Sequence, residues 1–85
     1  MLFFPAIMSW KTYLVVYFKA GNKKVSEVVK KVESAGFKSA LGPVDFIYEW
    51  KNEPTKKQVL KLADKLSEAL KGTEAMFNID THEGP

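Results

Sequence analysis

The chain alternates segments of strand-like and helix-like hydrophobic pattern, beginning with a run of β-branched and aromatic residues. Residues 10–19 read WKTYLVVYFK, a composition typical of a strand. Alternation puts apolar side chains on both faces: Trp10, Thr12, Leu14, Val16 and Phe18 on one, and Tyr13, Val15 and Tyr17 on the other. A strand that is apolar on both sides is expected in the middle of a sheet with something covering each face.

The next segment has the spacing of an amphipathic helix. Over residues 23–34, valines recur at i, i+3, i+4 and i+7, namely at Val25, Val28, Val29 and Val32. Asn22 is the predicted N-cap, and Gly36 can adopt the left-handed conformation after the last turn. The pattern therefore predicts a helix with one apolar stripe and both of its ends marked by sequence.

A second amphipathic helix is predicted over residues 56–71. Thr55, followed three residues later by Gln58, forms a capping box at its start, and Gly72 marks its end. Its apolar stripe comprises Val59, Leu62, Ala63, Leu66, Ala69 and Leu70. This helix is expected to pack on the same apolar layer as the first.

Three further strands complete the pattern, at residues 37–41, 44–51 and 74–81. Gly42 and Pro43 separate the first two of these by two residues, which predicts a hairpin. In the strand after the hairpin, Val44, Phe46, Tyr48 and Trp50 share one face, whereas Asp45, Ile47 and Glu49 share the other.

The order β-α-β-β-α-β predicts an α+β fold of the ferredoxin-like type, a four-stranded antiparallel sheet with two helices on one face. Right-handed crossovers place the first and third strands in the middle. Because both of these strands are apolar on each side, we expect the uncovered face to meet another sheet, a ligand or a nucleic acid. One domain spans residues 10–81, with an extension at 1–9 and a tail at 82–85; residues 1–8 are expected to be dispensable for folding.

Composition narrows the possible functions. The chain of 85 residues is 46% hydrophobic, which fits a small globular domain, and its net charge is +3. All thirteen cationic residues are lysines, so the bidentate contacts that arginine makes with guanine and phosphate are not available. We therefore expect any nucleic-acid binding to be weak, independent of sequence and strongly salt-dependent.

The residues needed for catalysis are missing. There is no cysteine, and the single histidine, His82, lies in the predicted tail beside Asp80 and Glu83, whose irregular spacing is a poor metal set. No phosphate-binding glycine motif occurs. We expect no enzyme activity, catalytic residue, metal or cofactor. The apolar run at residues 1–8 lacks a signal peptide's features and no segment has membrane-spanning length, so a cytoplasmic protein is expected.

Aromatic residues on the predicted central strands suggest one possible use of the uncovered face. RNA-recognition modules of this topology stack bases on such residues, here Tyr13, Tyr17, Phe46, Tyr48 and Trp50. Against this, Asp45 and Glu49 add negative charge where phosphates would approach. The other interpretation is that these aromatic residues belong to the core or to a dimer interface.

The hairpin segment 41–48, LGPVDFIY, resembles the corresponding part of the effector-binding domain of the Lrp/AsnC family. Gly42 and Asp45 match the family's glycine and aspartate, although Val44 replaces the usual aromatic residue. The order of elements matches over residues 13–81, and no helix-turn-helix segment precedes them in this sequence. Other families with paired ferredoxin-like sheets match equally well.

The resemblance implies that two sheets pair face to face in a dimeric α+β barrel and that dimers assemble further. It also implies that small effectors, commonly amino acids, bind between dimers near this hairpin, at Gly42 and Asp45. The alternative is that these two residues serve the turn alone, since glycine relieves the backbone and aspartate caps nearby amides.

These observations lead to a non-enzymatic, oligomeric domain that binds a small molecule or regulates a partner, with no membrane role. We expect Tyr13, Val15, Tyr17 and Ile47 to form the interface between copies. The alternative is a nucleic-acid-binding module that uses aromatic residues on the uncovered face.

Overall fold

The predicted order of helices and strands is confirmed. A computed structural model describes residues 9–40, 42 and 44–84. The elements are β1 (Ser9–Tyr17), α1 (Val25–Ser34), β2 (Lys38–Ser39), β3 (Phe46–Glu49), α2 (Lys56–Ala69) and β4 (Met76–Gly84). The chain therefore has the βαββαβ arrangement.

The four strands form one antiparallel sheet in the order β2-β3-β1-β4. β1 and β3 lie in the middle, as the predicted crossovers require. β1 pairs along its whole length with β4, from Ser9 opposite Gly84 to Tyr17 opposite Met76. The sheet thus consists of two long strands, β1 and β4, and two shorter ones, β3 and β2, which lie beside β1 on its other side.

Both helices pack their apolar stripes against the same face of the sheet, although Val25, at the start of α1, is 41% exposed. Leu14 of β1 and Leu66 of α2 are fully buried. The core cluster is completed by Val16, Val28, Val32, Ala35, Phe37, Phe46, Leu62 and Leu70. Burial of these apolar side chains is the main favourable term that holds the two layers together.

The start of α2 and the end of α1 follow their sequence signals, whereas α2 ends at Ala69, two residues before the predicted end at residue 71. The capping box of α2 is formed, with Thr55 Oγ1 accepting from the amide of Gln58. Gly36 has a φ of 105°, as a residue after a helix C-terminus requires.

The prediction that Asn22 caps α1 is wrong. The N-cap residue is Lys24, which makes no side-chain capping bond. Asn22 Oδ1 accepts from the Lys24 amide at 2.7 Å, whereas its Nδ2 donates to the Thr73 carbonyl at 3.0 Å. Asn22 therefore shapes a local turn and joins it to the loop before β4, a role that local sequence does not reveal.

The connection between β2 and β3 is longer than the predicted two-residue hairpin. The strands pair antiparallel through Lys38 opposite Ile47 and Ser39 opposite Phe46, leaving residues 40–45 as the connection. The Ala40 amide donates to the Asp45 carbonyl at 2.9 Å. The Asp45 amide donates to the Leu14 carbonyl of β1 at 3.0 Å, so the backbone of Asp45 is bonded both to Ala40 and to β1.

The prediction that a tail begins at His82 is wrong, because β4 continues to Gly84, the last residue that the structure describes. Ser9 belongs to β1 rather than to an extension. Residues 9–11 of β1 pair with residues 82–84 and give this part of β4 its backbone partners. The predicted alternation stopped at Thr81 because the following side chains are polar, but strand pairing depends on the backbone. The expectation that residues 1–8 are dispensable falls outside the described residues.

Candidate functional site

The sheet face opposite the helices is the candidate functional surface, and we call it the open face. Both described helices pack on the other side of the sheet. The open face is formed by alternate residues of each strand: Lys11, Tyr13, Val15 and Tyr17 of β1, Lys38 of β2, Ile47 and Glu49 of β3, and Met76, Asn78, Asp80 and His82 of β4.

Apolar side chains run along the middle of the open face. Tyr13, Val15 and Ile47 are half-buried there by their neighbours. Further along, the cross-strand pair Tyr17 and Met76 is 51% and 70% exposed. The structure thus brings the four predicted interface residues together on one surface.

A shallow hollow of about 490 Å³ lies on the open face. Its floor is apolar, from the side chains of Tyr13, Val15, Val44 and Ile47. Asn78, Asp80 and His82 give one side of it polar groups that can donate or accept hydrogen bonds. An apolar floor with a few polar groups at one side is the usual composition of a small-molecule site.

His82 is part of this surface, which the sequence interpretation missed. Its ring stacks on Tyr13 with centroids 4.5 Å apart and planes at 18°. Its Nε2 lies 3.7 Å from Asp80 Oδ2, and both side chains are largely exposed. The two-residue alternation of Asn78, Asp80 and His82 was the available signal, because it continues one strand face beyond the predicted end of the strand.

The two predicted ligand-binding residues of the hairpin have different surroundings. Asp45 Oδ2 accepts a hydrogen bond from the Val16 amide of β1 at 2.8 Å. This bond satisfies a backbone donor at the point where β3 has stopped pairing with β1. Gly42 is exposed with a φ of 103°. These contacts support the interpretation that both residues shape the chain at this turn.

Replacing Asp45 separates the structural role from a binding role. We expect Asp45→Ala to lower the free energy of unfolding by about 1 kcal/mol, because the Val16 amide loses its acceptor. Asp45→Asn keeps an acceptor oxygen and should retain most of that stability. Urea unfolding of the two variants measures both effects, and an Asn variant as unstable as the Ala variant would contradict this role.

The predicted aromatic platform is only partly present. Phe46 is buried in the core, and Tyr48 and Trp50 pack against it on the helix side of the sheet. The Trp50 indole donates to Thr12 Oγ1 at 2.8 Å. Hence three of the five proposed base-stacking residues are structural, and Tyr13 and Tyr17 alone among them reach the open face.

Other chemistry is sparse in the part of the chain that the structure describes. Within residues 9–40, 42 and 44–84, no three His, Cys, Asp or Glu side chains are grouped so that they could hold a metal ion. None of the described helices is both long enough and apolar enough to cross a bilayer. Comparison with known proteins matched no family, no curated protein and no solved structure.

Proposed function

We propose that this chain is a non-enzymatic, regulatory domain that self-associates through the open face and binds a small molecule there. The observation that carries the proposal is the apolar strip of Tyr13, Val15, Tyr17 and Ile47 on a sheet face that the described helices do not cover. In a single copy these side chains remain in contact with water, and burying them against another surface is favourable.

A second copy of the chain is the partner that this surface fits best. Two sheets that pack face to face bury alternate residues of each strand, which is the pattern of the open face. The resemblance of the hairpin segment to the Lrp/AsnC effector domain supports the same arrangement, because it implies sheets paired in a dimer. Exposed Met76 and Tyr17 extend the apolar contact toward one end of β1.

The hollow is the proposed place for a small ligand. The resemblance implies an amino-acid effector near Gly42 and Asp45, and Val44, beside Asp45, also lines the hollow. A ligand in the hollow would therefore touch the hairpin while Asp45 Oδ2 keeps its bond to β1. Its apolar part would contact Val15 and Val44, and its polar part would face Asn78, in the part of the hollow next to the hairpin. The part of the hollow around Tyr13 and Ile47 would be covered by the partner copy.

The alternative, a nucleic-acid-binding module, has weaker support. Glu49 and Asp80 carry negative charge on the open face. The remaining aromatic residues, Tyr13 and Tyr17, both lie on β1, so the neighbouring central strand offers no ring for a second base. Selective binding of RNA at physiological salt would favour this alternative over self-association.

Placing a charge in the middle of the apolar strip tests the proposal. We expect Ile47→Lys to weaken self-association at least about tenfold, because the ammonium group must be desolvated at the interface. Light scattering over a concentration series should then show the 9.6 kDa monomer where the parent protein is a dimer or larger.

Leu60→Lys provides the matched control. Leu60 is 54% exposed on α2, in the layer behind the open face, so this variant should keep the assembly of the parent protein. Circular dichroism checks that both variants are folded. A parent protein that remains monomeric at high concentration, or equal effects of the two substitutions, would contradict pairing through the open face.

A further inference from the structure

We propose that the two copies pair about a two-fold axis parallel to the strands, so that β2 of one copy lies over β4 of its partner. This inference rests on the proposed function, since it specifies how the open faces meet. It follows from the positions of charged side chains in the register of the sheet.

One row of side chains crosses all four strands of the open face. The register places Lys38 of β2 beside Ile47 of β3, Ile47 beside Tyr13 of β1, and Tyr13 beside Asp80 of β4. The row is therefore positive at one edge of the sheet, apolar in the middle and negative at the other edge. Lys38 and Asp80 are both exposed, so each can reach a facing surface.

A two-fold axis that runs along the strands, between β3 and β1, turns this row end to end. Lys38 then lies over the partner's Asp80, and Ile47 lies over the partner's Tyr13. The symmetry makes each contact occur twice, so opposite charges meet at both edges. Packed sheets are offset by about 30°, and a lysine side chain is long and flexible enough to accommodate the resulting shift.

The neighbouring row agrees with the same axis. Glu49 of β3 lies beside Lys11 of β1. Rotation places Glu49 over the partner's Lys11, so the charges of the two copies alternate around the axis. Lys11 and Glu49 of one copy can stay beside each other, because each then faces a residue of opposite charge in the partner.

A two-fold axis that runs across the strands at the level of this row is disfavoured by the same side chains. That axis would lay each strand over its own copy, with Lys38 near the partner's Lys38 and Asp80 near the partner's Asp80. Like charges held together at an interface are costly. The charges at the edges thus favour the axis along the strands over this one, while Ile47 and Tyr13 supply the apolar contact in the middle.

Site-directed crosslinking distinguishes the two arrangements, because the chain contains no cysteine of its own. Lys38→Cys and Asp80→Cys are prepared separately, mixed, and treated with a thiol-reactive crosslinker just long enough for the roughly 10 Å between packed sheets. Under the proposed axis, the mixture gives a crosslinked dimer that joins position 38 to position 80. Each variant alone gives little, since β2 and the partner's β2 are offset by about 14 Å within the sheet plane as well.

Ser67→Cys, on an exposed position of α2, measures crosslinking by random collision. Efficient crosslinking of Lys38→Cys alone, or a mixture no better than the Ser67→Cys control, would overturn the proposed axis. Light scattering on the same samples tests self-association separately from the direction of the axis. A dimer with the wrong crosslinks contradicts only the axis, whereas a monomer contradicts pairing itself.

Discussion

Leu66→Ala is expected to lower the free energy of unfolding by about 3 kcal/mol. Leu66 is fully buried in the layer where α2 meets the sheet. Its truncation removes buried apolar contacts and leaves a space that the surrounding side chains fill only in part. Urea unfolding should show the loss at an unchanged slope, and the Tm should fall by roughly 4–8 °C for each kcal/mol.

Leu60→Ala is the control for this substitution, because it makes the same chemical change in the same helix. Leu60 is 54% exposed, so its truncation should cost less than about 0.5 kcal/mol. The comparison cancels the difference in helix propensity between leucine and alanine. Equal losses for the two variants would contradict the assignment of the buried face of α2.

Gly36→Ala is expected to destabilise the protein by about 2–4 kcal/mol, through two separate effects. Gly36 has a φ of 105°, which a residue with a Cβ adopts only under strain. An added Cβ would also lie 2.9 Å from Cε2 of Tyr48. That ring contacts both Phe37 and Trp50, with centroids 5.4 and 4.8 Å away, so it cannot move without disturbing the core.

Gly21→Ala separates the two effects. Gly21 also has a positive φ, of 81°, but an added Cβ there would meet nothing within 4 Å. This variant should therefore show the backbone cost alone, about 1 kcal/mol. Thermal unfolding of both variants gives the difference, and a Gly36→Ala protein as stable as Gly21→Ala would show that the Tyr48 ring is free to shift.

The parts of the fold that the sequence predicted are those set by short-range pattern. The valines of α1 and the Thr55–Gln58 capping box act within a few residues, and both predictions are confirmed in the structure. The position of Asn22 was misread because its partner, Thr73, is distant in sequence. The end of β4 was misread for a similar reason, since residues 82–84 are ordered by pairing with residues 9–11 rather than by their own side chains.

The open face was also predicted only where it depends on short-range pattern. Alternation along β1 placed Tyr13, Val15 and Tyr17 together, and the hairpin strand added Ile47. Because β3 lies in the middle of the sheet, alternation alone left open which of its faces the aromatic residues occupy, and they proved to belong to the core. The bond from the Val16 amide to Asp45 depends on how β3 approaches β1, so no local pattern contains it.

The position of β1 in the sheet has a consequence for the kinetics of folding. Both of its neighbours, β3 and β4, come later in the chain, and Ser9 pairs with Gly84 near the far end. The one pair of strands that is adjacent in sequence, β2 and β3, shares only two residue pairs. Closing the long loops costs chain entropy before β1 gains its partners, so the rate of folding should be set by long-range collapse rather than by hairpin formation.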